Sequence, residues 1–147
     1  MKPKPDQLPV ETDFLDPRSR DLDERHALKI FLGKTPEQAE EMFRQSFLSY
    51  YEDLDSMRTP AFRFYVQPAI KYLLSDAASG DSDAVSTFCF VLESRLKNDP
   101  EGIGPIRAVV IGAIKQIMGN FTRYDCDPET YGDVFARYLV LANRLNA

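Results

Sequence analysis

Histidine and tryptophan are scarce in this sequence, and the scarcity limits the chemistry open to it. The chain has one histidine, His26, and no tryptophan. His26 and Asp23 would share one face of a helix, but two ligands are too few for a good metal site. With one histidine, acid–base catalysis would have to rely on carboxylates and tyrosines, and their spacing marks no pair. We therefore assign no catalytic residue, no metal ligand and no cofactor.

Sequence motifs of phosphate binding and of nucleophilic catalysis are missing too. The segment Gly102-Ile103-Gly104 lacks the further glycine and the lysine of a phosphate-binding loop. No segment has the Gly-x-Ser-x-Gly pattern of a nucleophile elbow. The sequence thus favours a role other than catalysis.

The two cysteines and the absence of long apolar runs bear on the cellular compartment. Cys89 lies in an apolar helical pattern, and Cys126 lies between Asp125 and Asp127, two charges that should disfavour its thiolate. Two thiols in such settings are typical of a reduced, intracellular protein. No run reaches the about 18 apolar residues of a membrane span, and the N-terminal region lacks the apolar segment of a signal peptide. We predict a cytoplasmic protein.

Positive charge is in deficit. The chain has 18 lysines and arginines against 23 aspartates and glutamates, a net charge of −5. Binding to phosphate backbones needs a concentrated basic face. We therefore predict neither nucleic-acid nor membrane binding, whereas net acidity would steer the chain toward a basic partner.

Helix-start and helix-stop signals organise the rest of the chain. The first 18 residues, which contain four prolines, predict an extended Pro-rich arm that is either solvated or lies along the domain. Residues 19–147 are predicted to form a single all-α domain of about six helices, packed as antiparallel helical hairpins around 83–97 and 105–118. The six helices are expected at 22–32, 36–54, 59–74, 83–97, 105–118 and from 128 onward. Their start signals include Asp21, Thr35, either Asp81 or Ser82, and Asp127.

The stretch 59–74 is the most unusual of these segments. Its pattern predicts a helix with Thr59 as N-cap and Pro60 at the first position, and its apolar residues form one broad stripe. Pro68 cannot donate a hydrogen bond to the carbonyl of Phe64, so the helix should bend there. Because the stripe keeps its phase across Pro68, we expect one kinked helix, or two helices in line, and no clean break.

Phe64 lies off that stripe and makes this helix a candidate binding surface. It falls on the polar side, among Arg63, Gln67 and Lys71. An exposed aromatic ring beside a freed carbonyl and two cations would suit the polar backbone of a partner or a small ligand. The alternative is a core helix whose Phe64 is covered by a neighbouring helix.

The segment Ala61-Phe62-Arg63-Phe64-Tyr65-Val66-Gln67-Pro68-Ala69 also carries a resemblance. Its pattern, aromatic-Arg-aromatic-Tyr-x-x-Pro-Ala, is similar to one in small, all-helical bacterial proteins of unknown function. Small acidic helical proteins of this kind include immunity and adaptor proteins. The resemblance implies a bacterial origin and a binding role, and it implies no catalytic residue.

Three functional hypotheses follow. The first is a protein-binding module, adaptor-like or immunity-like, that uses the face around Phe64 or the acidic face of Glu37–Asp53. The second is a small-molecule-binding protein or enzyme with a pocket beside the helix kinked at Pro68, lined by Tyr65, Tyr72 and Arg107. A converging polar pocket would favour this second hypothesis. The third is a structural homo-oligomer that buries Phe64 across a symmetric contact.

Overall fold

The computed structural model describes residues 7–146, and these residues contain helices and no β-strand. Seven helices within this range have ten residues or more, and two have four. The prediction of a single all-α domain is confirmed, with one long helix more than the six expected. The helices are α1 (Glu11–Phe14), α2 (Leu22–Phe31), α3 (Pro36–Gln45), α4 (Phe47–Ser56), α5 (Thr59–Leu73), α6 (Ser82–Asn98), α7 (Pro100–Ile103), α8 (Arg107–Gly119) and α9 (Pro128–Asn146).

The predicted start signals of four long helices operate as N-caps. The Asp21 carboxylate accepts the amides of the first turn of α2, and Asp81 and Asp127 do the same for α6 and α9. Thr35 and Gln38 form the reciprocal capping box of α3, at 3.1 and 2.9 Å. Each cap satisfies amides that have no partner within the helix.

The predicted helix 36–54 is two helices. At Ser46 the backbone becomes extended, with φ −167° and ψ 99°, and the Ser46 hydroxyl accepts the amide of Ser49 to cap α4. Serine competes in this way with the helical hydrogen bond, which is why it favours caps over helix interiors. Phe43 and Phe47, on either side of the break, are both buried. The break therefore keeps both helices packed on one core.

Helix α5 runs without interruption through Pro68, as predicted. Its N-cap is Arg58 and not Thr59. Thr59 is the first residue of the helix, and its hydroxyl donates to the carboxylate of Asp99, 40 positions later in the sequence. The start of α5 is thereby tied to the end of α6.

The core surrounds α5, in which nine of fifteen residues are buried. Helix α3 packs along α5, and α4 packs against α6 and α2. The expected central pair of 83–97 and 105–118 is not the main contact of either segment, because α6 packs chiefly on α4, with further contacts to α7 and α9, and α8 packs on α9. Hydrophobic patterning identifies buried faces but does not say which two faces meet.

The end of the predicted arm is part of this core. Phe14 and Leu15 are each 1% exposed, and the Phe14 carbonyl accepts the Arg58 amide at 2.8 Å. Residues 7–18 thus lie along the domain, with one helical turn, α1, among them. Residues 1–6 of the arm are outside the described range.

No helix within residues 7–146 combines the length and the apolar character needed to cross a membrane.

Candidate functional site

A groove of about 330 Å³ lies between the first turns of α3 and the middle of α5. We call it the α3–α5 groove. Pro36, Glu37 and Glu40 form its α3 wall. Phe64, Gln67, Pro68 and Lys71 form its α5 wall. Three of the four residues predicted as a binding surface therefore line one concave site.

Phe64 provides the aromatic surface of the groove. Its side chain is half-buried, and its ring meets the ring of Tyr65 edge to face, with centroids 4.9 Å apart. Tyr65 is fixed beneath it, because its hydroxyl donates to the carbonyls of Phe31 and Lys34, at 3.0 and 2.8 Å. Burial raises the pKa of Tyr65 to about 12, so this hydroxyl keeps its proton. Phe64 is thus neither fully exposed nor fully covered, and it rests on a rigid support.

Pro68 removes one backbone hydrogen bond from the same wall. A helical carbonyl normally accepts the amide four residues later, and Pro68 has no N–H to give to the Phe64 carbonyl. Phe64 and Pro68 both line the groove. The backbone of α5 beside the groove therefore lacks one of its usual hydrogen bonds.

The two donor groups of the lining, Lys71 and Gln67, each contact one neighbouring group and have more N–H bonds than that contact uses. The Lys71 ammonium pairs with the Glu40 carboxylate at 3.5 Å. The Gln67 side-chain amide donates to the Arg63 carbonyl at 3.1 Å. Within residues 7–146, Glu37 forms no ion pair. Two carboxylates and one ammonium leave the lining with one net negative charge.

Arg63, the fourth predicted binding residue, is not part of the groove. Its guanidinium donates to the carbonyl of Gly102 at 2.7 Å and to that of Glu101 at 3.4 Å. These contacts fasten α7 to α5. Arg63 thus lies between α5 and α7, next to Phe64 in sequence but outside the lining of the groove.

The acidic face of α3 and α4 is divided between two places. Its first residues, Glu37 and Glu40, form a wall of the groove and so meet the Phe64 surface that was predicted separately. Its last residue, Asp53, is only 6% exposed and faces inward. The Asp53 carboxylate lies 2.5 Å from the Nδ1 atom of His26. No sequence pattern indicates this pair, whose members are 27 positions apart.

Tyr65, Tyr72 and Arg107, the predicted lining of a ligand pocket, are not brought together in a cleft of the described residues. Tyr65 and Tyr72 are buried, and the Tyr72 hydroxyl is bonded to Asp81 at 2.5 Å. Arg107 is exposed at the first turn of α8. A concave site does exist beside Pro68, but its lining is that of the α3–α5 groove.

A second, more apolar cleft of about 300 Å³ lies under the start of α9, lined in part by Phe121, Cys126 and Phe135. Burial, and then the charges of Asp125 and Asp127, raise the pKa of Cys126 to about 11. The pKa of Cys126 is thus raised, as expected from the two aspartates, but burial contributes more to the rise than they do. A thiol that stays protonated is a poor nucleophile, so we assign Cys126 no reactive role in this cleft.

Within the described part of the chain, no three histidine, cysteine, aspartate or glutamate side chains are grouped so as to hold a metal ion. Compared with known proteins, the chain matches no protein-family model, no curated protein and no solved structure.

Proposed function

We propose that this protein is a protein-binding module, adaptor-like or immunity-like, and that the α3–α5 groove is its contact site. The observation that supports the proposal is the assembly of Phe64, Gln67 and Lys71 with the acidic residues Glu37 and Glu40 around one concavity. A half-buried aromatic ring within a polar, charged rim is the arrangement found at the centres of protein interfaces.

The lining favours a protein partner over a small molecule. Sites for small molecules are mostly apolar, enclose most of the ligand surface, and span about 300–1,000 Å³. The α3–α5 groove, at about 330 Å³, is at the small end of this range. Glu37, Gln67 and Lys71 are exposed to solvent, so a ligand in the groove would keep much of its surface in water. A protein partner can extend beyond the groove and bury more area.

Site-specific photo-cross-linking tests the proposal. A photoreactive phenylalanine analogue at Gln67 is compared with the same analogue at Gln116, an exposed glutamine on α8. Both proteins are irradiated in an extract of the source organism, and products are identified by mass spectrometry. We expect a discrete protein adduct from position 67 and none from position 116.

Charge reversal supplies the second arm. Glu37→Lys should abolish the adduct at position 67, while Glu129→Lys, at an exposed residue that likewise follows the first proline of its helix, α9, should leave it unchanged. An adduct with a second copy of the chain would assign the groove to a homo-oligomer. If no adduct forms, and the NMR signals of the groove residues shift on addition of metabolite mixtures, the small-molecule alternative is favoured instead.

A further inference from the structure

The lining of the α3–α5 groove has more carboxylates than cations. It contains the carboxylates of Glu37 and Glu40 and the ammonium of Lys71, with the side-chain oxygen of Gln67 as a further acceptor. The Lys71 ammonium lies 3.5 Å from Glu40, and within residues 7–146 Glu37 has no cationic partner. A complementary ligand therefore brings positive charge and N–H donors.

The aromatic ring of Phe64 favours arginine over lysine as the basic side chain of such a ligand. A guanidinium is planar, stacks on aromatic faces and donates several hydrogen bonds in one plane, whereas an ammonium is a compact and strongly hydrated charge. Arginine can stack on Phe64 and pair with a carboxylate of the lining at once. Lysine can satisfy the charge but not the stacking.

The fold already contains one such arrangement, filled by its own arginine. The guanidinium of Arg95 lies 4.2 Å from the centre of the Phe62 ring and donates to the carbonyls of Asp55 and Met57. The carboxylate of Asp99 completes its surroundings at 3.6 Å. The groove presents two of these three kinds of group, an aromatic ring and carboxylates, around Phe64, two residues further along α5.

We infer that the α3–α5 groove receives an arginine side chain of the protein partner, stacked on Phe64 and paired with Glu37 and Glu40. The inference rests on the proposed function, whose partner it specifies as a segment that presents an exposed arginine.

The test uses random peptides displayed on phage and selected against the intact protein. Selected peptides are synthesised, and their affinities are measured by isothermal titration calorimetry. Groove dependence is defined by loss of binding to Gln67→Trp, which fills the groove. In each groove-dependent peptide, arginine is replaced by lysine and by citrulline, which keeps the shape but not the charge. We expect citrulline to weaken binding by about tenfold or more, and lysine to weaken it less.

A matched pair of protein variants locates the charge that is recognised. Glu37→Gln should also weaken binding by about tenfold. Glu129→Gln should leave it unchanged, because Glu129 is an exposed residue that likewise follows the first proline of its helix, α9. Both variants keep the helix start intact, so the comparison separates recognition from folding.

Two results overturn the inference. Groove-dependent peptides without arginine, or peptides indifferent to citrulline, would refute arginine recognition and leave the protein-binding function in place. A selection that yields no groove-dependent peptide would also refute it. The proposed function is then judged separately by the cross-linking at position 67.

Discussion

Replacing Arg95 with methionine should destabilise the whole domain, although Arg95 belongs to no candidate site. Its guanidinium is buried and donates to the carbonyls of Asp55 and Met57, at 2.9 and 2.6 Å. These carbonyls lie at the C-terminal end of α4, where helical carbonyls lack partners of their own. Burial lowers the pKa of Arg95, while the charges of Asp55 and Asp99 oppose that shift. Arg95 thus joins the end of α4 to α6.

The expected loss follows from the contacts removed. Each hydrogen bond from a charged donor contributes about 1.5–3 kcal/mol, so two contribute about 3–6 kcal/mol. Methionine has a similar length and no charge to desolvate, which offsets part of that loss. We expect a net decrease of about 3 kcal/mol in the free energy of unfolding, against a typical total of about 5–15 kcal/mol. For a domain of this size, that corresponds to a fall in Tm of roughly 6–12 °C.

Urea denaturation followed by far-ultraviolet circular dichroism measures this loss. Arg44→Met is the matched control, since Arg44 pairs with Glu41 at the surface and such pairs contribute only about 0–1 kcal/mol. If Arg95→Met costs no more than this control, about 1 kcal/mol or less, the guanidinium does not hold the end of α4. The contacts of Arg95 with Phe62 and its neighbours would then no longer support arginine binding at Phe64 by analogy.

Three further outcomes are expected. Gly33→Ala should destabilise the protein by roughly 1 kcal/mol, because φ is +82° at this position. Gly112→Ala, at an exposed position within α8, should stabilise the protein by about 0.5–1 kcal/mol. If thermal denaturation shows Tm changes of the same sign for both variants, this prediction is wrong. His26→Ala should cost about 1–3 kcal/mol by leaving the buried Asp53 carboxylate without its partner, and a double-mutant cycle with Asp53→Asn should show coupling between the two. Both cysteine thiols should resist a thiol reagent until urea unfolds the chain. Burial raises the pKa of Cys89 from 9.0 to about 12 and that of Cys126 from 9.0 to about 11. Above pH 9.0 the thiols ionise in the unfolded chain but stay protonated in the folded one up to about pH 11. The free energy of unfolding should therefore fall as the pH rises above 9.0. Rapid reaction of the native protein would show that the thiols are accessible.

Local chemistry allowed much of the fold to be predicted. Caps such as Thr35 and Asp21 act on amides within three residues, so sequence spacing alone identifies them. The passage of α5 through Pro68 was predictable too, because the apolar stripe continues in phase on both sides of the proline. The break at Ser46 was missed, since serine is also tolerated within helices and only packing decides between the two conformations.

Only one of the two walls of the candidate site could be predicted from the sequence. Phe64, Gln67 and Lys71 share one side of one helix, and helical periodicity places them together without knowledge of any other element. The opposite wall, with Glu37 and Glu40, belongs to α3, and no spacing in sequence says that α3 packs along α5.

The sequence by itself determined the all-α class, the starts of most helices and the polar side of α5, because these depend on interactions between residues a few positions apart. Tertiary structure alone decided that Arg63 fastens α7 and lies outside the groove, that Asp53 turns inward to His26, and that the acidic residues of α3 face Phe64. Such contacts join residues far apart in the chain, and many pairings of apolar helix faces are compatible with one hydrophobic pattern.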